Sequence, residues 1–245
     1  MFTILKKELN SFLTSLIGYI TIFVFLIING LLLWVIKSGV NVFDSAVASL
    51  YGLFFISPWV FLFLISAITM KMFAEEKKNG TIEILLTRPV SDLSIIMGKF
   101  FAALIIVILS VLPTFIYMIC IYQLGSPKGN LDIGGILGSY IGLVFLGGIF
   151  ASIGIFCSSL TNNQIVAFII SIVFCLVAYI GFDFIAQIPF LQQFDLTISQ
   201  FGIANHYESI SRGVIDTRDV LYFLSATALF ILLTKISLQS RNWKK

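Results

Sequence analysis

Five stretches of at least 15 residues carry no Asp, Glu, Lys or Arg: Leu9 to Ile36, Ser45 to Met70, Phe100 to Pro127, Ile133 to Phe182, and Val220 to Thr234. A helix crossing the hydrocarbon core needs roughly 20 apolar residues. Each of the first three windows therefore holds one span. The fourth is 50 residues long and holds two, folded as a hairpin about the polar string "SSLTNNQ" from Ser158 to Gln164. The fifth, with 15 residues, reaches spanning length if its helix continues through "KISLQ" and Lys235 stretches its stem toward the headgroups. With 59% hydrophobic and 11% charged residues, against about half and about a quarter in soluble domains, the chain falls outside the soluble globular class.

The expected fold is an all-α polytopic membrane protein, one transmembrane domain over residues 1–245 with six spans at 15–36, 50–72, 93–122, 133–158, 163–182 and 219–239. Residues 1–14 precede the first span as an amphipathic interfacial helix: Phe2, Leu5, Leu9, Phe12, Leu13 and Leu16 fall at helical spacing, and Lys6, Lys7, Glu8 and Asn10 take the other side. The alternative is that this stretch simply ends the first span. That span is too long for the apolar region of a cleaved signal peptide, and no small-residue cleavage site follows it. Six spans with both termini cytosolic put 11 Lys and Arg inside and four outside, with five acids inside and seven outside. This is the bias of the positive-inside rule.

Within the spans, Gly134, Gly138 and Gly142 recur every four residues, followed by Gly147 and Ala151. Small residues at this spacing let helices approach closely in lipid, either inside one subunit or between two. Pro58 and Pro113 are expected to kink their spans. No charged residue is expected deep in a span, which disfavours ion-coupled transport. Cys120, Cys157 and Cys175 lie in apolar stretches without metal or disulfide spacing, as packing residues. The single histidine, His206, has no second His or Cys nearby and is expected to be solvated or capping rather than a metal ligand. No phosphate-cradling GxxxxGK[ST] loop is present; the Gly98-Lys99 pair runs into Phe100 and a span. Energy for work must come from another chain.

Two connections break the apolar pattern. Residues 183–218 carry many large apolar side chains, yet Pro189 and Asp195 divide them into pieces too short to span. Short re-entrant helices on the outer side fit this composition, and a loosely folded cap is the alternative. The segment "EEKKNGTIEILLTRPVSD", residues 75–92, reads as an elbow. The second span extends through Glu75 and Lys78, and Gly80 ends it in the left-handed conformation. A short helix from Thr81 then sets Ile82, Leu85 and Leu86 on one face. Pro89 stops it, and Ser91 caps the third span. Two readings stay open: a hydrophobic knob that plugs into a groove on a soluble partner, or a connection whose apolar face rests on the membrane.

The wording of that elbow, with "IIMGKF" after it, resembles ABC-2 type transporter permeases, which carry an acidic pair, Gly-Thr, an acid among leucines, Thr-x-Pro and Gly-Lys in this stretch. "HYESISRGVIDTRDVLYFLS" from His206 to Ser225 resembles the lead into the last span in one branch of that family, the gliding-motility-associated one. "KKELNSFLTSLIGY" and "NQIVAFII" extend the resemblance over nearly the whole chain. Leu16 departs from the pattern, standing where a proline precedes Ile-Gly-Tyr. The resemblance implies a non-catalytic permease in a bacterial inner membrane, with ATP and Mg bound by a separate ABC ATPase subunit and none bound directly here. It also implies pairing with a second permease chain, identical or different, and no nucleic-acid partner. By position, it implies that Glu75, Glu76, Gly80, Thr81, Glu83, Leu85, Leu86, Arg88 and Pro89 form a coupling helix seated on the ATPase.

Two other functional classes remain in view. A membrane enzyme would need paired carboxylates, a Ser-His pair or a His-rich site, and no such constellation is visible. A structural anchor for a motility or secretion complex is compatible with the sequence, because an elbow shows connection rather than passage of cargo.

Overall fold

The computed structural model describes residues 1–44, 48–86 and 90–240, with backbone only for 84–86, 191, 192 and 196. Helix α1 (Phe2–Leu13) leads through Ser15 into α2 (Leu16–Trp34). The Ser15 hydroxyl accepts from the Gly18 amide, so Leu16 occupies the first helical position, where a proline would also fit. Helices α3 (Tyr51–Thr69) and α4 (Lys71–Lys78) form one long rod, followed by the short α5 (Thr81–Leu86). Helix α6 (Asp92–Val111) passes through a 3₁₀ turn at Leu112–Thr114 into α7 (Phe115–Leu124). A long α8 (Ile133–Leu160) turns back as α9 (Gln164–Leu176), which continues through a π turn at Val177–Gly181 into α10 (Phe182–Ala186). A 3₁₀ segment at Pro189–Phe194, α11 (Asp195–Ser199) and α12 (Ile203–Ser211) precede α13 (Thr217–Gln239).

Among the described residues, six helical rods are long and apolar enough to cross a membrane: Leu16–Trp34, Tyr51–Lys78, Asp92–Leu124, Ile133–Leu160, Gln164–Ala186 and Thr217–Gln239. They are not equivalent. In α8 and in the α3–α4 rod, 78% and 67% of the most apolar window is buried, against 11–33% in the others. Helix α8 is thus the axis, packed by α3, α4, α6, α9, α12 and α13.

Its small residues explain how six elements share one helix. A Cβ on Gly138 would stand 2.6 Å from the Ile210 carbonyl oxygen and 2.9 Å from Gly213 Cα, and one on Gly147 would stand 2.7 Å from a Val107 methyl. The small-residue stripe therefore serves close packing within the chain. Because backbone faces Gly138, Gly138→Val is expected to cost about 1–3 kcal/mol, read as a lower melting temperature of the purified protein.

The two spanning prolines behave differently. Pro58 sits inside an uninterrupted α3, whereas Pro113 lies in the 3₁₀ turn that separates α6 from α7. At the α8–α9 hairpin, Asn163 caps α9 by accepting from the Ile165 amide at 2.9 Å.

At the end of the bundle opposite α4, the 3₁₀ segment carries exposed Phe190 and Phe194, and the turn between α11 and α12 carries exposed Phe201. His206 is not free in solvent. Its Nδ1 lies 2.7 Å from Asp219 Oδ1 and its Nε2 lies 2.8 Å from the Gln200 carbonyl oxygen. Its ring stacks on Tyr222, with centroids 3.8 Å apart. The Ser209 hydroxyl donates to the other Asp219 oxygen at 2.6 Å. One imidazole thereby clips α12 to α13. Among the described residues, no group of three or more His, Cys, Asp or Glu could hold a metal ion.

Candidate functional site

The elbow emerges from a break in the α3–α4 rod, and the break has a physical cause. The Ser158 hydroxyl, near the end of α8, accepts from the Phe73 and Ala74 amides at 3.0 Å each and donates to the Met70 carbonyl oxygen at 2.9 Å. A side chain thus inserts into the i→i−4 ladder, a recognised origin of a bend. The Lys77 ammonium donates to the Ser159 carbonyl oxygen in the last turn of α8, where helical carbonyls lack intrahelical partners and favour a cation. Ser159 and Ser237 share hydrogen bonds, which brings α13 into the same joint.

Ser158 is expected to set how far the rod can bend. With Ser158→Ala the Phe73 and Ala74 amides can return to the helical ladder, and the joint should stiffen. Slower hydrogen exchange at those two amides, at a stability cost within about 0.5–1.5 kcal/mol, is the expected result.

Beside this joint lies a buried charge network. Lys99 in α6 is fully buried, and its ammonium lies 2.9 Å from Glu8 Oε1, 3.0 Å from Glu76 Oε1 and 2.7 Å from the Met72 carbonyl oxygen. It also stands 4.9 Å from the centre of the Phe73 ring. Lys7 closes the network at 3.0 Å from Glu76 and 3.5 Å from Glu8. Burial works against the charged form of Lys7, but the hydrogen bond and charge of Glu76, with those of Glu8, outweigh it and raise its pKa above 10.5. The sign follows: the contribution of Lys7 to stability is complete below that value and fades only as pH climbs through the raised one. Three elements meet here, with α1 supplying Lys7 and Glu8, α4 supplying Glu76 and α6 supplying Lys99.

The helix α1 seats against α6 because Gly98 has no side chain. A Cβ there would stand 3.1 Å from the Met1 carbonyl oxygen and 3.2 Å from Ile4 Cβ. Between α1 and α4 a polar cleft of about 220 Å³ remains, lined by Lys7, Glu8, Lys71, Glu75, Glu76 and Thr81 among others.

The residues singled out in the elbow separate into different roles. Glu75 is exposed while its neighbour Glu76 is turned inward to the lysines, as the 100° step of a helix dictates. The second Glu76 oxygen is buried and has no hydrogen-bond partner among the described residues. Gly80 ends α4 with φ +70°, the left-handed value that favours glycine. Thr81 is exposed and donates to the Glu76 carbonyl oxygen at 3.3 Å, and Glu83 is exposed in the first turn of α5. Leu85 and Leu86 belong to α5 by backbone, and Arg88 and Pro89 lie outside the described residues. Ile82 does not belong to an exposed knob: it is 5% accessible and packs into the core. At the far side, Ser91 caps α6 by accepting from the Ser94 amide.

Lys99 has a role that its place near the start of a span does not announce. It sits seven residues beyond the start of α6, fully enclosed. Sequence reasoning counted it among the flanking lysines and missed its network. The acids that could have revealed it, Glu8 and Glu76, are far away in the chain.

A search of curated proteins finds no match. The family of ABC-2 family transporter proteins matches residues 2–238, a stretch that includes the joint, the charge network and all six candidate spans. The chain therefore belongs to the ABC-2 family of membrane transporter permeases.

Proposed function

We propose that this chain is the permease subunit of an ATP-driven exporter linked to gliding motility. It lies in a bacterial inner membrane with both termini cytosolic and pairs with a second permease chain. ATP and Mg are held by a separate ABC ATPase, the partner that membership of the family implies. In this reading α1 lies on the inner membrane surface among lipid headgroups, α5 seats on the ATPase, and the segment from α10 to α12 closes the outer end.

The observation that carries this reading is the rigid root of the elbow. Closure of an ATPase pair would push on α5, and α4 cannot answer alone. Glu76 ties it to Lys99 of α6 and Lys7 of α1, while Ser158 and Ser159 tie it to α8. A displacement at α5 therefore reaches three helices of the bundle at once. The push can shift access only as far as ATP-bound and ATP-free partners differ in affinity for the two permease states.

Gliding motility enters through the resemblance of the segment from His206 to Ser225. Reconstitution with its ATPase in proteoliposomes distinguishes the exporter from a structural anchor. Stimulation of ATP hydrolysis by candidate cargo supports export, and hydrolysis indifferent to every extract fraction supports the anchor.

A further inference from the structure

A cavity of about 410 Å³ opens at the end of the bundle opposite the elbow, between the first half of α3, the start of α8, the π turn and α12. From Tyr51 to Trp59 it follows α3, a depth of about 12 Å at 1.5 Å per residue. Its walls are aromatic. Trp59 meets Tyr179 edge to face at 6.0 Å, Tyr51 stacks on Phe55 at 5.8 Å, and the buried Tyr207 donates to the Phe54 carbonyl oxygen at 2.9 Å. That last bond links α12 to α3.

The charges of the lining have one sign. Asp132 and Glu208 contribute carboxylates, and no Lys, Arg or His is among the lining residues. Asp132 is partly engaged as the cap of α8, accepting from the Gly135 amide at 2.9 Å. Glu208 is exposed, and among the described residues it makes no hydrogen bond or ion pair. A free carboxylate beside aromatic faces disfavours an anion. The aromatic walls attract a positive charge through their quadrupole. The Ser139, Ser211 and Tyr207 hydroxyls of the lining already donate to backbone carbonyl oxygens, so the arrangement suits a charge spread over a bulky apolar centre better than a compact ammonium that needs several acceptors.

We propose that this cavity is a binding site for amphipathic organic cations, the quaternary or delocalised kind, with Glu208 opposing the charge and Trp59 and Tyr179 enclosing the apolar body. Its place as an exit site for cargo rests on the exporter reading, whereas the binding itself rests on the cavity alone.

The test uses the full chain purified without any ATPase and two radiolabelled probes of the same shape and opposite charge, tetraphenylphosphonium and tetraphenylborate. Saturable binding of the cation alone is expected, weakened about tenfold or more by Glu208→Gln and by Trp59→Leu and retained by Glu208→Asp. With no hydrogen bond or ion pair at Glu208 among the described residues, Glu208→Gln should leave the melting temperature unchanged. Three results would overturn the site: non-saturable uptake into detergent, equal binding of the borate, or binding indifferent to both substitutions. Failure of the cation to bind, where separate isolation from the native membrane recovers an ATPase with the chain, sinks the site and spares the transporter reading. Binding by a chain with which that isolation recovers no ATPase does the reverse.

Discussion

Lys99→Met is expected to destabilise the protein by about 3–5 kcal/mol, because it removes one member of a buried ionic network and leaves the others. Glu8 and Glu76 would then face each other with only Lys7 between them, and Lys7 is 59% accessible at its side chain. The Met72 carbonyl oxygen would also lose a donor. Methionine matches the volume of the lysine stem, so packing alone should change little.

The comparison that isolates the charge is the double variant Lys99→Met with Glu76→Gln. Removing one charge of each sign leaves less uncompensated, so the double variant should be more stable than Lys99→Met alone. A positive coupling in a thermal-unfolding cycle is the expected signature. If Lys99→Met unfolds at the wild-type temperature, the network contributes nothing and the rigid root of the elbow loses its basis.

Glu83→Lys and Leu85→Asp are expected to release the ATPase while leaving membrane insertion intact. Glu83 is exposed on α5 and supports no other element among the described residues, so reversing its charge should be felt only by a partner. A central interface residue contributes about 2 kcal/mol or more, equivalent to a loss of about thirtyfold in affinity. Ile82→Asp is the informative control. Its side chain packs in the core, so this change should damage folding and insertion as well as assembly. Equal recovery of the ATPase with Glu83→Lys, Leu85→Asp and the parent chain would remove α5 from the interface.

What could be read from the sequence was local. Charge-free windows reveal spans because lipid forbids uncompensated charges, and the six rods follow from that rule. Gly80 and Ser91 declare a helix end and a helix start through their own conformational chemistry. The remainder depends on partners distant in the chain. Lys99 finds Glu8 across 91 positions and Ser158 meets Phe73 across 85, and no periodicity encodes either pairing. Glu75 and Glu76 look like one acidic pair in the sequence, yet the helix sends one outward and one into the core. His206 was unreadable for a related reason: Asp219, only 13 positions away, belongs to the next helix. The turn between α12 and α13 decides whether they meet.

The most direct measurement is to isolate the tagged chain gently from its native membrane, identify what accompanies it by mass spectrometry and assay ATP hydrolysis, then repeat with Glu75 to Arg88 replaced by a neutral linker. An ATPase subunit present with the parent chain and absent with the replacement is the predicted result, and a second permease in the same sample would identify the pairing. An ATPase that remains bound to the replaced chain, or none recovered with the parent chain in several detergents, would contradict coupling through the elbow.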